Sequence, residues 1–183
     1  MIGASTGGPA HIRQIVGALR TPLNAAIVIA QHMGKMFIPS FVARVGRYTS
    51  VPVKVAQEGL LLEKGVIYIC PDLTEMVGKR GEVRFRVSED AETPYTPHID
   101  ALFDSAAALQ PRVKVMAILL TGIGEDGVAG CGRIARERGV VIAESEESAV
   151  VYGMPARLKE TITDVYVKNL QEIIDAVKIF GAA

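Results

Sequence analysis

Three polar side chains in this 183-residue chain each follow a short apolar run: Ser5, His32 and Asp126. In Ile2 to Pro9 (IGASTGGP) a strand end passes through Gly3 into a turn carrying Ser5 and Thr6, then Gly7 and Gly8, then a helix start marked by Pro9. Such a turn exposes a serine hydroxyl at the carboxyl end of a sheet and aims unpaired helix N–H groups at whatever the serine attacks. Gly3-Ala4-Ser5-Thr6-Gly7 also satisfies G-x-S-x-G literally. The competing reading is structural: Ser5 or Thr6 merely caps the helix.

His32 directly follows the apolar run Ala25 to Gln31, so in a parallel sheet it emerges at the same edge as Ser5. Val113 to Leu120 ends in Thr121-Gly122-Ile123-Gly124-Glu125-Asp126-Gly127, which delivers two carboxylates to that edge. Asp126, in the first turn of the helix expected from Asp126 to Arg138, is kept ionised by the helix dipole and suits a carboxylate that orients an imidazole. Glu125 competes for that role, and capping by Asp126 is the structural alternative. The resulting reading is a serine nucleophile, a histidine base and an orienting aspartate, with backbone N–H groups from Thr6 to Gly8 and from Gly122 to Gly124 stabilising an oxyanion. The chain order serine, histidine, aspartate speaks against an ordinary α/β-hydrolase. This chemistry requires no metal or organic cofactor.

The rival lies in the same loop. Gly122-x-Gly124-x-x-Gly127 is a G-x-G-x-x-G after a strand and before a helix, and Glu144 closes the next strand near the position of a ribose-binding acid. A dinucleotide-binding domain is therefore the alternative, although Glu125 and Asp126 place negative charge where a pyrophosphate would approach. His98, Asp100 and Asp104 read as a cap and a solvated helix face rather than metal ligands, and His11 reads as a surface residue. Met33 and Phe37, with Met36, follow His32 and could contact a protein substrate.

The elements that position these residues alternate. Strands are expected at Ala25 to Gln31, Val66 to Cys70, Val113 to Leu120, Val140 to Ala143 and Asp164 to Val167. Helices are expected at Pro9 to Leu19, Ile38 to Arg47, Ile99 to Leu109, Asp126 to Arg138, Pro155 to Thr161 and Leu170 to Phe180. The continuous apolarity of the strands predicts an α/β fold: a doubly wound, mostly parallel sheet with helices on both faces. Between Glu75 and Val87 the period falls towards two around Lys79, Arg80 and Gly81, which predicts an inserted antiparallel hairpin. Ser88 to Pro97 reads as a long surface loop.

A hydrophobic content of 49% excludes a disordered chain, and 20 basic against 20 acidic residues leave no global field for nucleic acid. The longest apolar stretches are too short to cross a membrane, so the expectation is a cytoplasmic protein without membrane insertion. Cys70 and Cys131, far apart and without CxxC spacing, read as buried small hydrophobes.

The blocks IGASTGGP (Ile2 to Pro9), IAQHM (Ile29 to Met33), YICP (Tyr68 to Pro71), LLTGIGEDG (Leu119 to Gly127) and ESAVVYGMP (Glu147 to Pro155) together resemble the catalytic domain of the bacterial chemotaxis CheB methylesterases. The resemblance spans nearly the whole chain. It implies a single domain over residues 1–183 that hydrolyses glutamate methyl esters on the cytoplasmic domain of chemotaxis receptors, releasing methanol, and that can also deamidate receptor glutamines. It implies the same triad, Ser5, His32 and Asp126, with Ile123 standing where the family often has methionine and offering its backbone N–H to the oxyanion. It further implies a phosphorylatable receiver domain upstream, which fits the two residues that precede Gly3. After Pro71, Asp72-Leu73-Thr74-Glu75 depart from the glycines and histidine frequent in the family.

Overall fold

Strand side chains alternate between the two faces of a sheet, and here both sets are apolar. Ile27 and Ile29 join one buried cluster while Val28 and Ala30 join the other; Ile67 and Ile69 separate from Tyr68 and Cys70 in the same way. Such runs are stable only if both faces are covered. The computed structural model describes residues 1–89, 91–110 and 112–182 and shows that arrangement.

Seven strands, β1 (Ile2–Ala4), β2 (Ile27–Gln31), β3 (Val53–Val55), β4 (Ile67–Ile69), β7 (Met116–Leu119), β8 (Val140–Glu144) and β9 (Tyr166–Lys168), form one sheet in the order β3-β4-β2-β1-β7-β8-β9. Every neighbouring pair is parallel. Helices α1 (Gly8–Gly17), α2 (Ile38–Gly46) and α6 (Leu170–Ala182) cover one face through Ile12, Ile15, Phe41, Val45 and Ile173. Helices α3 (Ile99–Ala107), α4 (Val128–Arg136) and α5 (Met154–Thr161) cover the other through Leu102, Phe103, Cys131, Ile134 and Leu158. Each of these side chains other than Cys131 contributes about 1.5–3 kcal/mol by leaving water.

The expected hairpin is β5 (Leu73–Lys79) with β6 (Glu82–Ser88), closed by Arg80 and Gly81, both at positive φ. It packs Phe85 against Tyr68 with ring centroids 4.9 Å apart, so it completes the second face. Its outer basic residues are solvated or paired, Arg84 with Glu82 and Arg86 with Glu75.

The chain adds β2 and β4 on one side of β1, then returns to place β7 and β8 on the other. The order therefore reverses at β1, and the crevice outside the carboxyl ends of the strands at such a reversal is where open α/β sheets bind ligands. Two strands were not delimited by pattern: β1 is only three fully buried residues, and β3, a short edge strand behind Pro52, pairs among the described residues with β4 alone. Helix α4 starts at Val128 rather than Asp126, because Gly127 at φ 96° turns the chain just before it.

Candidate functional site

The carboxyl edge of β1 becomes a tight turn. Ser5 N donates to Thr121 O at 3.0 Å, and Ser5 O accepts from Gly8 N and from Gln31 Nε2, each at 2.9 Å. Gly7 caps α1 at φ 87°, and among the described residues no side chain caps that helix; neither Ser5 nor Thr6 does the structural job that competed for it. A side chain on Gly122 would run into Ser5 Cβ and the Met154 sulfur, so only glycine lets the β7 loop lie against the serine.

His32 N donates to Ala4 O at 2.9 Å, continuing the β1–β2 register in which Ala4 faces Gln31. Ser5 and His32 thus leave adjacent parallel strands at the same level. Among the described residues the Ser5 hydroxyl makes no hydrogen bond, so the structure juxtaposes the serine and the histidine without a bond between them.

Asp126, by contrast, is joined directly to the histidine. His32 Nε2 lies 2.7 Å from Asp126 Oδ2, and the same carboxylate accepts from the backbone N–H of Ile99 at 2.8 Å and of Asp100 at 2.9 Å. Asp126 is 1% exposed. Burial alone would raise its carboxyl, but the His32 ring and the Asp100 and Ile99 amides together hold it below the usual carboxylate range. An ionised carboxylate only accepts hydrogen bonds, so Nε2 carries the imidazole proton and Nδ1 is the nitrogen left with a lone pair. The charge is thus held first by His32 and then by two amides in the first turn of α3, partners that the sequence reading, which invoked the dipole of the following helix, did not name in full. Glu125, the competing acid, is exposed and pairs with Arg157 at 3.5 Å.

Two features escaped the sequence reading. Tyr95, in the stretch read as surface loop, stacks on His32 with centroids 5.1 Å apart and planes 2° from parallel. His11 is buried rather than superficial, its Nδ1 3.0 Å from Oε1 of a fully buried Glu144. Glu144 also accepts from Thr121 N and Ser148 Oγ, both at 2.8 Å, while Thr121 Oγ1 donates to Thr6 O at 2.8 Å. This network sits behind the serine turn. The signal for His11 was its place four residues before Ile15 on the apolar stripe of α1.

The same network removes the dinucleotide alternative, because the acid required at the ribose is enclosed and fully engaged. The ligand-like trio also dissolves: His98 caps α3 by accepting from Ala101 N, Asp100 accepts from Gly130 N at 2.7 Å, and Asp104 pairs with Arg133.

Around Ser5 the backbone N–H groups of Thr6, Gly7 and Ile123 make no hydrogen bond to another described residue. The preceding Gly122 is anchored at both its polar groups, its N–H donating to Val151 O and its carbonyl accepting from Met154 N. The rim is apolar: Met36, Phe37, Ile123 and Val150 are exposed, whereas Met33 leans on the core cluster of the α1 face.

These features define the class, a doubly wound α/β domain with a serine, histidine and aspartate gathered at its switch point. The chain belongs to the CheB methylesterase family, which it matches over residues 1–177. It is 39% identical over 165 residues to a protein-glutamate methylesterase/protein-glutamine glutaminase of Saccharophagus degradans, covering 89% of this chain and 45% of that protein. A protein of the same designation from Halalkalibacterium halodurans is 36% identical over 180 residues, covering 97% and 52%. The crystal structure of the Thermotoga maritima CheB methylesterase catalytic domain superposes with a TM-score of 0.90 at 32% identity, covering 98% of this chain and 96% of that one. The chain spans about half the length of the curated relatives it matches.

Proposed function

We propose that this chain is a serine esterase that hydrolyses methyl esters of glutamate side chains on chemotaxis receptors, and that it deamidates receptor glutamines by the same route. The observation that carries the reading is the 2.7 Å His32–Asp126 bond, set one strand away from Ser5 at the switch point. With its proton held on Nε2, the His32 ring takes the Ser5 hydroxyl proton at Nδ1 as Ser5 Oγ bonds to the ester carbonyl carbon. The oxyanion that forms is held by the backbone N–H groups of Thr6, Gly7 and Ile123. Collapse breaks the carbon–methoxy bond, and His32 returns the proton so that methanol leaves. Water then attacks the acyl-enzyme by the reverse relay, freeing Ser5 and a glutamate carboxylate. For a glutamine, ammonia replaces methanol as the leaving group.

The residues need no metal or organic cofactor for these steps. Phe37 and Met33, which follow His32 in the chain, suit contact with the receptor, Phe37 through its exposed ring and Met33 by supporting the loop. We further propose a cytoplasmic setting, the cytoplasmic domain of a methyl-accepting receptor as substrate, and regulation by a phosphorylatable receiver domain of the parent protein. Supporting this are the family membership and relatives about twice as long. Among the described residues no helix is long and apolar enough to cross a membrane.

The test is methanol release from methylated receptor by wild type and Ser5→Ala. A fall of about 10³-fold or more, with the fold retained, is expected; release at near wild-type rate would remove Ser5 from the reaction.

A further inference from the structure

A triad imidazole must keep one nitrogen on its carboxylate and present the other to the nucleophile, yet rotation about its outer side-chain bond exchanges each nitrogen with a carbon. Asp126 holds only one corner of the ring, the Nε2 edge. The stretch before α3 supplies the remaining constraint. Tyr95 lies almost parallel to the imidazole, 2° between planes and 5.1 Å between centroids, which is an offset stack. Turning the imidazole out of its plane drives a ring edge toward the phenol face, so the stack opposes the motion that would swap the nitrogens.

The backbone that carries Tyr95 is held on both sides. Thr93 Oγ1 donates to Tyr95 O at 2.7 Å, and Thr96 O accepts from Met33 N at 3.1 Å, one residue beyond the histidine that Tyr95 covers. Three residues further along, His98 caps α3, the helix whose first amides hold Asp126. Across the crevice, a Cβ on Gly124 would stand 3.2 Å from the Tyr95 hydroxyl oxygen; a glycine in the β7 loop thus leaves room for the ring. One short segment therefore supplies both the stack on His32 and the helix that anchors its carboxylate.

We propose that Tyr95 is a positioning residue for the esterase reaction: its flat face holds the His32 ring with Nε2 on Asp126 and Nδ1 free for Ser5. The role needs an aromatic face and not the hydroxyl. It rests on the proposed esterase function only for its kinetic readout, since ring orientation can be observed without substrate.

The test compares Tyr95→Phe with Tyr95→Leu, the leucine keeping apolar bulk without a flat face and guarding against simple collapse of the loop. Steady-state methanol release gives kcat and KM, and ¹⁵N-detected NMR of the histidine rings reports which His32 nitrogen is protonated. Tyr95→Phe is expected to stay within about 2-fold of wild type in kcat. Tyr95→Leu is expected to lose roughly 3- to 10-fold in kcat, the size one aromatic stack allows, with KM within about 2-fold and a His32 ring no longer confined to the Nε2-protonated form. Wild-type kcat in Tyr95→Leu, equal damage in both variants, or a change confined to KM would overturn the proposal. So would unchanged His32 ring signals in the leucine variant, whatever the kinetics. Failure of the esterase reading itself would appear separately, as methanol release that survives Ser5→Ala.

Discussion

Replacing Asp126 by Asn keeps the size of the side chain and changes what it can accept. Oδ2 takes hydrogen bonds from His32 Nε2 and Ile99 N, and Oδ1 takes one from Asp100 N. An amide has one acceptor oxygen and one donor NH₂. If its oxygen faces Asp100, the NH₂ confronts the Ile99 N–H and forces the imidazole proton onto Nδ1, the position that must receive the Ser5 proton. If its oxygen faces His32 and Ile99, the tautomer survives, but the NH₂ confronts the Asp100 N–H and the imidazolium formed in the reaction loses its counter-charge. Either way one N–H loses its acceptor, which costs about 1–3 kcal/mol of stability. The catalytic loss should reach ~10²–10⁴-fold in kcat, because tautomer or charge is wrong whichever way the amide settles, while KM changes little. Methanol-release kinetics and a denaturant titration on the same preparation read both quantities. A folded Asp126→Asn enzyme with kcat within about 3-fold of wild type would refute the reasoning.

Acid should narrow the stability gap between wild type and Asp126→Asn. A carboxyl held below its ordinary value of about 3.9 contributes stability that is fully present above that value and is lost as pH falls through the folded-state value. The gap is thus expected at neutral pH and to shrink below about pH 4, as chemical denaturation across pH would show. Asp100, whose carboxyl burial raises, acts in the opposite sense, so the difference between the two proteins is the quantity to follow. Burial pushes the Cys70 thiol up to about 12 and raises Cys131 further; iodoacetamide at about pH 8 should leave both untouched in the native protein and modify both in denaturant.

Much of the site could be read from sequence because parallel strands deliver whatever follows them to one edge. Ser5 and His32 stand directly past apolar residues and Asp126 lies in the loop after a third run, so their shared edge was legible, although β1 is too short to register as a strand and Glu125 competed with Asp126 on pattern alone. Only part of the reason Asp126 stays charged was legible: His32 was foreseen, but α3, some 27 residues away in the chain, whose first amides also take the carboxylate, was not. Tyr95 was missed because prolines and polar residues around it describe a loop, and loop composition carries no record of which ring the loop covers. β3 was missed because three residues hold too little alternation to register. His11 and Glu144 show the reverse problem: their positions on an apolar stripe and in a buried strand were visible, but their pairing links residues 133 apart.

The central claim, that Ser5 is the nucleophile, is met most directly by covalent capture. Native protein treated with a fluorophosphonate and digested with trypsin should carry one adduct, on Ser5 within the peptide Met1 to Arg13, identified by mass spectrometry. Labelling should vanish in Ser5→Ala and after denaturation, since an unactivated serine does not react. An enzyme that releases methanol while its adduct sits on another residue, or forms none on Ser5, would contradict the account.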